Sequence, residues 1–110
     1  MSILDFPTAS GKERKDMLAK ARKAAGMLKA LSHEGRLLIL CLLADGERTV
    51  SEIEAIMDMT QAAVSQQLSR LRLEGLVIPR RDGKAIYYSL ADDRPKQIME
   101  VVYDLFCRDK

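Results

Sequence analysis

Long apolar segments are missing from this sequence of 110 residues. The longest run, LLILCLLA, has eight residues, whereas a helix that crosses a bilayer needs about 20. The opening MSILDFPTASGKERKD also lacks the basic region and long apolar stretch of a secretory signal. We therefore expect a cytoplasmic protein with no membrane partner.

Cysteine and histidine are scarce, since Cys41, Cys107 and His33 are the only ones in the chain. Reduced cytoplasmic thiols are not expected to form a permanent disulfide, and the absence of Cys-x-x-Cys argues against a thiol oxidoreductase. One imidazole without nearby ligands is a poor zinc site, so His33 is expected to be structural. We expect no metal site, no cofactor and no enzymatic activity.

A strong charge of one sign is also absent. The 18 basic and 16 acidic residues give a formal charge of +2, which only weakly favours a nucleic-acid partner. With 47% hydrophobic and 31% charged residues, the composition fits one compact domain. The placement of the charges must therefore decide the function.

The apolar periodicity predicts four helices before any strand. Residues 1–12 have no periodicity and are interpreted as a flexible N-terminal arm, followed by one domain over 13–110. Apolar residues three and four apart predict a first helix over 13–31. Ser32 can cap a second helix, which Gly46 ends and which should be central and buried because it has hardly any polar face.

The next segments predict a helix-turn-helix followed by a hairpin. Thr49 and Glu52 form a capping-box pattern for a short third helix, and Thr60 and Gly75 can bound a fourth. Asp82-Gly83 between β-prone runs indicates a two-stranded hairpin. A last helix should begin at about Asp92. The predicted class is mainly α with a small β-hairpin (α+β), a winged helix-turn-helix with five helices.

The fourth helix has an unusual outer face. Val64, Leu68 and Leu71 should face the core, which leaves a short-chained, uncharged surface on the other side. That surface consists of Ala62, Ser65, Gln66 and Ser69. Glutamine can bridge two edges of adenine, and small residues allow close approach to the major groove. The alternative is an ordinary solvated helix surface.

Basic residues flank this predicted surface. Arg70 and Arg72 lie beside it on the same helix, while Arg80, Arg81 and Lys84 lie at or near the hairpin tip. These side chains can contact phosphates or the adjoining minor groove. Alternatively, the hairpin charges only protect an exposed sheet edge from pairing with another chain.

Three segments resemble the ArsR/SmtB family of dimeric winged-helix repressors: LKALSHEGRLLILCLL, TVSEIEAIMDMTQAAVSQQLSRLRLEGLV and RRDGKAIYYSL. The resemblance covers roughly residues 28–90 and implies a homodimer that binds double-stranded DNA. The family's groove-contacting positions correspond to Gln61, Ala62, Ser65, Gln66 and Ser69, with Arg81 and Lys84 on the wing.

A homodimer is also expected because the first and last helices carry more apolar surface than a small core can cover. The expected interface residues are Met17, Ala21, Leu28, Ile98, Val101, Val102 and Leu105. Two-fold symmetry would separate the two reading helices by about 34 Å, which predicts a near-palindromic operator.

The family's common metal sites are not matched, because EIEAIMDM has no cysteine and the last helix has no histidine. Cys41 and Cys107 instead match the pair found in the persulfide-sensing BigR/SqrR subgroup. The resemblance implies a repressor that binds its operator when reduced. Persulfide or polysulfide modification would release it and derepress reactive-sulfur or sulfide detoxification genes. Some members carry a further N-terminal cysteine, which MSILDFPTAS lacks.

Alternative functions remain open at this stage. The two thiolates could bind Cu(I) or As(III), or act as a general disulfide redox sensor. A winged-helix protein could also use this surface for protein contacts alone, in which case no salt-dependent binding to duplex DNA would be found.

Overall fold

The computed structural model describes residues 10–108. Its elements are α1 Gly11–Leu31, α2 Glu34–Ala44, β1 Arg48–Thr49, α3 Val50–Met57, α4 Gln61–Leu73, β2 Val77–Asp82, β3 Ala85–Leu90 and α5 Asp93–Val102. A π-helical turn, Tyr103–Cys107, continues α5. The predicted class, five helices with a hairpin, is confirmed. No helix within residues 10–108 is long and apolar enough to cross a membrane.

The first helix begins at Gly11, earlier than predicted, because Ser10 caps it. Ser10 Oγ accepts a hydrogen bond from the Glu13 amide at 3.2 Å, and the Glu13 carboxylate accepts one from the Ser10 amide at 3.3 Å. This reciprocal capping box satisfies two amides that would otherwise lack partners. The prediction of a flexible arm over residues 1–12 is therefore wrong for residues 10–12, which cap or belong to α1. Residues 1–9 lie outside the described residues.

The start of α2 also differs in detail from the prediction. His33, not Ser32, is its N-cap residue, and His33 Nδ1 accepts a hydrogen bond from the Gly35 amide at 3.1 Å. Ser32 instead ends α1, where its hydroxyl donates to the Lys29 carbonyl at 2.7 Å. The sole histidine thus has the structural role expected of it.

The core contains residues from all five helices and from the sheet. Its buried apolar residues are Ala30, Leu31, Ile39, Leu40, Leu43, Ile53, Val64, Leu68, Leu71, Leu76, Val77 and Met99. The prediction for the inner face of α4 is confirmed. The prediction that α2 is the central, buried helix is confirmed for its inner side but wrong for its outer side, where Leu38 is 53% exposed and Cys41 is also exposed.

The hairpin belongs to a three-stranded antiparallel sheet in the order β1-β3-β2, not to the predicted two-stranded one. The additional strand is short: Arg48 pairs with Tyr88 and Thr49 with Tyr87. Between β2 and β3, Gly83 has φ of +63°, a conformation that glycine adopts without steric cost. The pairing of β1 joins the middle of β3 to the segment that opens α3.

The first helix projects from the rest of the molecule. Its residues 11–25 are exposed except for a half-buried Met17, and the Cα radius of gyration is 16.8 Å, against about 13 Å for a compact domain of 100 residues. A 21-residue helix is about 31 Å long, so most of α1 extends beyond its contact with α2. Most of its surface is therefore available to another chain.

Two leucines of α4 provide a test of this core. Leu68 is 1% exposed and Leu73 is 78% exposed. We expect Leu68→Ala to lower the free energy of unfolding by about 2–5 kcal/mol, because it leaves a cavity. Leu73→Ala should change it by less than about 0.5 kcal/mol. Urea denaturation of both variants measures the difference, and equal losses would contradict the assigned packing of α4.

Candidate nucleic-acid interface and thiol pair

The turn between α3 and α4 fixes the direction of α4. Asp58 ends α3 in the left-handed conformation, with φ of 53°, and the Met59 amide donates to the Glu54 carbonyl at 3.2 Å. Thr60 then caps α4, because its Oγ1 accepts a hydrogen bond from the Ala63 amide at 3.1 Å. Both helix ends are thus satisfied by local hydrogen bonds.

The outer face of α4 is brought together as predicted from the sequence. We call it the reading face, and it consists of Gln61, Ala62, Ser65, Gln66 and Ser69, all of which are exposed. The buried residues Val64, Leu68 and Leu71 hold the opposite side of the helix against the core. An uncharged surface rich in hydrogen-bonding groups therefore points away from the core.

One glutamine of this helix has a structural role instead. Gln67 is half-buried, and its Oε1 accepts a hydrogen bond from Arg36 Nη1 at 3.2 Å. Arg36 Nε also donates to the Ala30 carbonyl at 2.6 Å. This arginine links α1, α2 and α4, a role that could not be predicted from the sequence because one arginine near a helix start gives no distinguishing signal.

The two arginines of α4 are placed differently. Arg72 is exposed, whereas the side chain of Arg70 is 38% exposed and its Nη2 lies 3.7 Å from Glu74 Oε1. Arg70 Nε is buried without a hydrogen-bond partner in residues 10–108. Arg72 is therefore the more accessible of the two basic groups beside the reading face.

The basic residues of the hairpin also divide into two groups. Arg80 donates to both Glu47 carboxylate oxygens, at 2.6 and 3.2 Å, and lies 4.8 Å from the centre of the Tyr87 ring. Hydrogen bonding from Arg80 lowers the pKa of Glu47. Arg81 and Lys84 are exposed and form no salt bridge within the described part of the chain. These two remain available for a ligand.

A cleft of about 410 Å³ joins the reading face to the wing. Its lining includes Ser51 at the start of α3, Gln61 at the start of α4 and Lys84 at the hairpin turn. Three separate segments thus place an amide, a hydroxyl and an ammonium group around one concave surface. Such a surface suits a phosphate or a polar base edge.

The two cysteines lie on neighbouring elements, α2 and the π-helical turn after α5, and both are free thiols. The Cys41 thiol contacts the thioether of buried Met99, with the two sulfurs 3.6 Å apart. Beside Cys41 is an open cavity of about 700 Å³, whose lining includes Lys96, Tyr103 and Arg108. Small molecules in solution can therefore reach this sulfur.

The surroundings of Cys41 raise the pKa of its thiol. Desolvation is the largest cause, followed by the negative charge of the Cys107 thiolate and then by that of Asp45. The residue is exposed as a whole, but its sulfur lies against Met99, which withholds water from that side. Cys107 is therefore one of the two negatively charged groups that act on the Cys41 thiol.

A metal site is not apparent at this location. Residues 10–108 contain no group of three or more histidine, cysteine, aspartate or glutamate side chains placed to hold an ion. The thiol pair and Met99 are instead the soft donors in this part of the molecule.

Apolar side chains remain exposed on α1 and at the end of the chain. Of the residues predicted to form a dimer interface, Leu28, Val101 and Leu105 are 60%, 57% and 71% exposed. Ala21 is also exposed, whereas Met17, Ile98 and Val102 are half-buried. Leu18 and Phe106, which were not in the predicted set, are 54% and 81% exposed.

Residues 33–78 match the family model described as bacterial regulatory protein, arsR family. The biofilm growth-associated repressor of Agrobacterium fabrum is 44% identical over 91 residues, which cover 83% of this chain and 78% of the relative. The chain belongs to the ArsR family. The family resemblance found in the sequence is thereby confirmed.

Solved structures of ArsR-like proteins have the same architecture. Reduced HlyU from Vibrio cholerae is 36% identical with a TM-score of 0.80, and the match covers 86% of this chain and 99% of that one. A homodimeric winged helix-turn-helix DNA-binding domain from Mycobacterium bovis is 35% identical with a TM-score of 0.74, covering 89% and 87%. The predicted winged helix-turn-helix fold is thus confirmed for this ArsR-family chain.

The interaction between the two thiols can be tested by alkylation. We expect Cys107→Ser to move the pH midpoint of Cys41 alkylation to a lower value, because removing a neighbouring negative charge lowers the pKa of the remaining thiol. Desolvation by the surrounding protein should persist. Iodoacetamide rates for Cys41, measured by peptide mass spectrometry across pH, report the midpoint.

Asp16→Asn on the exposed part of α1 is the control for this measurement, since it removes a carboxylate distant in sequence from both thiols. It should leave the midpoint unchanged. A midpoint for Cys41 that stays fixed or rises in Cys107→Ser would show that the charge of Cys107 does not reach Cys41.

Proposed function

We propose that this chain is a homodimeric transcriptional repressor that binds a near-palindromic DNA operator with α4 and the wing. The observation that carries this proposal is the exposed, uncharged reading face beside the cleft that contains Lys84. A helix surface of this composition can approach base edges closely and form hydrogen bonds with them. Membership of a family of regulatory proteins and the name of the Agrobacterium relative, a repressor, support the same function.

The residues of this interface have distinct roles. Gln61 and Gln66 can each bridge two atoms of an adenine edge, and Ser65 and Ser69 can bond bases or phosphates. Ala62 allows close approach to the groove. Arg81 and Lys84 contact the phosphate backbone or minor groove. Arg70 is a weaker candidate for a phosphate contact because it already lies near Glu74.

The second copy of the chain would cover α1 and α5. The projecting α1 and the exposed leucine and valine side chains of both helices leave an apolar surface that a single chain does not bury. Burial of such surface favours association. The homodimeric relative from Mycobacterium bovis supports this arrangement. Two-fold symmetry would then separate the two reading faces by about one DNA turn, or 34 Å.

DNA binding can be tested with single substitutions. A duplex selected from a random library serves as the binding site, and fluorescence anisotropy at several salt concentrations gives its affinity. Gln66→Ala should weaken specific binding by about 1–3 kcal/mol and relax the preference at one base pair. Lys84→Ala should weaken binding to all duplexes and reduce the logarithmic salt slope by about 1.

Gln97→Ala is the control for a glutamine substitution outside the reading face, because Gln97 is exposed on α5; light scattering first verifies that this variant is still a dimer. It should leave DNA affinity unchanged. If no duplex is selected, or if Gln66→Ala binds as tightly as the unmodified protein, α4 does not read DNA in the proposed way.

The signal in this proposal is an organic persulfide or polysulfide that modifies Cys41 and Cys107. A protein thiolate attacks the outer sulfur of RSSH, the S–S bond breaks, and RSH leaves once it has gained a proton. When both cysteines carry this sulfur, one persulfide attacks the inner sulfur of the other and expels H₂S. The product is a trisulfide bridge, and the step needs no additional oxidant.

The placement of the two sulfurs supports this chemistry. The helix α2 packs against α5, which the turn ending at Cys107 continues, and the cavity beside Cys41 gives a donor access to that sulfur. A direct disulfide needs Cα atoms within about 7 Å, whereas added sulfur atoms permit a longer span. A bridge that fits only one dimer geometry shifts the population by its differential stability, and about 2.8 kcal/mol would weaken DNA binding roughly a hundredfold.

Substitution of one thiol tests the sensor. Cys41→Ser should bind the selected duplex as tightly as the reduced unmodified protein, but a persulfide should no longer release it because no bridge can form. Anisotropy and intact mass measured on the same samples follow release and sulfur addition. Full release of Cys41→Ser by persulfide would contradict the bridge, and dithiothreitol should restore binding in the unmodified protein.

Sensing of a soft metal or metalloid is a second candidate, and the position of Met99 favours it. Its thioether lies 3.6 Å from the Cys41 sulfur and would complete a set of soft donors with the two thiolates. Cu(I) prefers such ligands. Titration with Cu(I) against a competing chelator, with DNA binding followed in parallel, distinguishes this function from persulfide sensing.

A further inference from the structure

The last helical segment of the described chain departs from α-helical geometry just before Cys107. The Arg108 amide donates to the Tyr103 carbonyl at 2.9 Å, so its partner lies five residues back instead of four. The π-helical turn spans Tyr103–Cys107, and no proline or glycine in YDLFC explains it. π-helical segments are rare in general, although single π-turns also occur at helix C-termini.

An uninterrupted α-helix would place different side chains on the inner side of α5. With about 100° of rotation per residue, Phe106 would lie about 20° from the direction of Met99, whereas Cys107 would lie about 80° away. Phe106, not Cys107, would then follow Met99 along the face that contacts α2. Its ring would be the next side chain on that face, about 10 Å farther along the helix axis than Met99.

In the structure, Phe106 does not occupy that face. Phe106 is 81% exposed, while Met99, on the inner face, is 3% exposed and contacts Cys41. A π-helical turn contains an additional residue, so each residue after its start is rotated less than in an α-helix. This rotation moves Phe106 away from the Met99 direction and brings Cys107 toward it.

We propose that the π-helical turn sets the register of the thiol pair: its additional residue places Cys107, instead of Phe106, on the side of α5 that faces Cys41. The relevance of this register to sensing rests on the proposed dithiol function. The positions of the two sulfurs can be tested independently of that function. Phe106 and the Tyr103 carbonyl are positioning groups here and take no part in the chemistry.

The same turn connects the thiols to the proposed dimer surface. Leu105 and Phe106, 71% and 81% exposed, directly precede Cys107 in the turn. A bridge from Cys107 to α2 would restrain these apolar side chains in their present directions. Bridging would thus act on the surface that a second copy covers, not on the thiols alone.

Three variants separate the effect of thiol position from the effect of losing the Phe106 ring. The exchange Phe106→Cys/Cys107→Phe moves the thiol by one position and leaves the length and composition of the chain unchanged. Deletion of Phe106 removes one residue from the turn, which should restore an α-helix and keep the thiol on the inner face. Phe106→Ala is the control for loss of the aromatic ring. Circular dichroism and urea denaturation of the reduced proteins verify that each variant folds.

The probe of thiol position is phenylarsine oxide, which bridges two neighbouring thiols. Two As–S bonds replace the As–O bond, and the two thiol protons leave with the oxygen as water. Intact mass followed over time gives the bridging rate. Because positioning governs such a reaction, the exchange variant should bridge about tenfold or more slowly, while the deletion and Phe106→Ala should remain within about threefold of the unmodified protein.

The register proposal is overturned if the exchange variant bridges as fast as the unmodified protein, or if the folded deletion variant loses bridging. The same samples treated with an organic persulfide report separately on sensing. If phenylarsine oxide shows the expected pattern while persulfide forms no bridge in any variant, the register is supported and the proposed persulfide function fails.

Discussion

The packing of α2 against its neighbours is the constraint on which the rest of this structure depends. Leu40 and Leu43 are nearly inaccessible to solvent, and α2 contacts α1, α4, α5 and β3. A chain of this length buries only a modest core, so few contacts must position every functional surface. Near its start, α2 holds α4 through the hydrogen bond from Arg36 to Gln67. Further along, it holds α5 through the contact between Cys41 and Met99.

This arrangement gives a physical connection between the thiols and the reading face. The thiol pair and the reading face both contact α2. Arg36 of α2 donates a hydrogen bond to Gln67, which is adjacent in sequence to Gln66 of the reading face. A covalent bridge at Cys41 would restrain α5 against α2, whose other contacts orient α4. Coupling of this kind needs two discrete arrangements of the dimer that the bridge stabilises unequally.

The prediction from sequence was most successful where local hydrogen bonds and periodicity act together. The capping box of Thr49 and Glu52, the cap at Thr60 and the positive φ of Gly83 all depend on residues close in the chain. It was less successful where a distant segment decides the outcome. The pairing of Arg48 with Tyr88 adds a strand that two residues alone could not indicate. The use of Ser10 to cap α1 was missed although the local pattern was present.

The sequence by itself determined the order of the helices and the hairpin, the inner side of α4 and the composition of the reading face, because helical periodicity and short-range caps are encoded within a few residues. Only the tertiary structure decided which arginine is engaged, which glutamine points inward and where Cys107 lies. Arg80 pairs with Glu47, Gln67 with Arg36, and Cys41 contacts Met99 across large separations in the chain. The π-helical turn was also decided by the tertiary structure alone. One additional residue in a helical turn changes the directions of the following side chains, but it leaves no mark in the pattern of residue types.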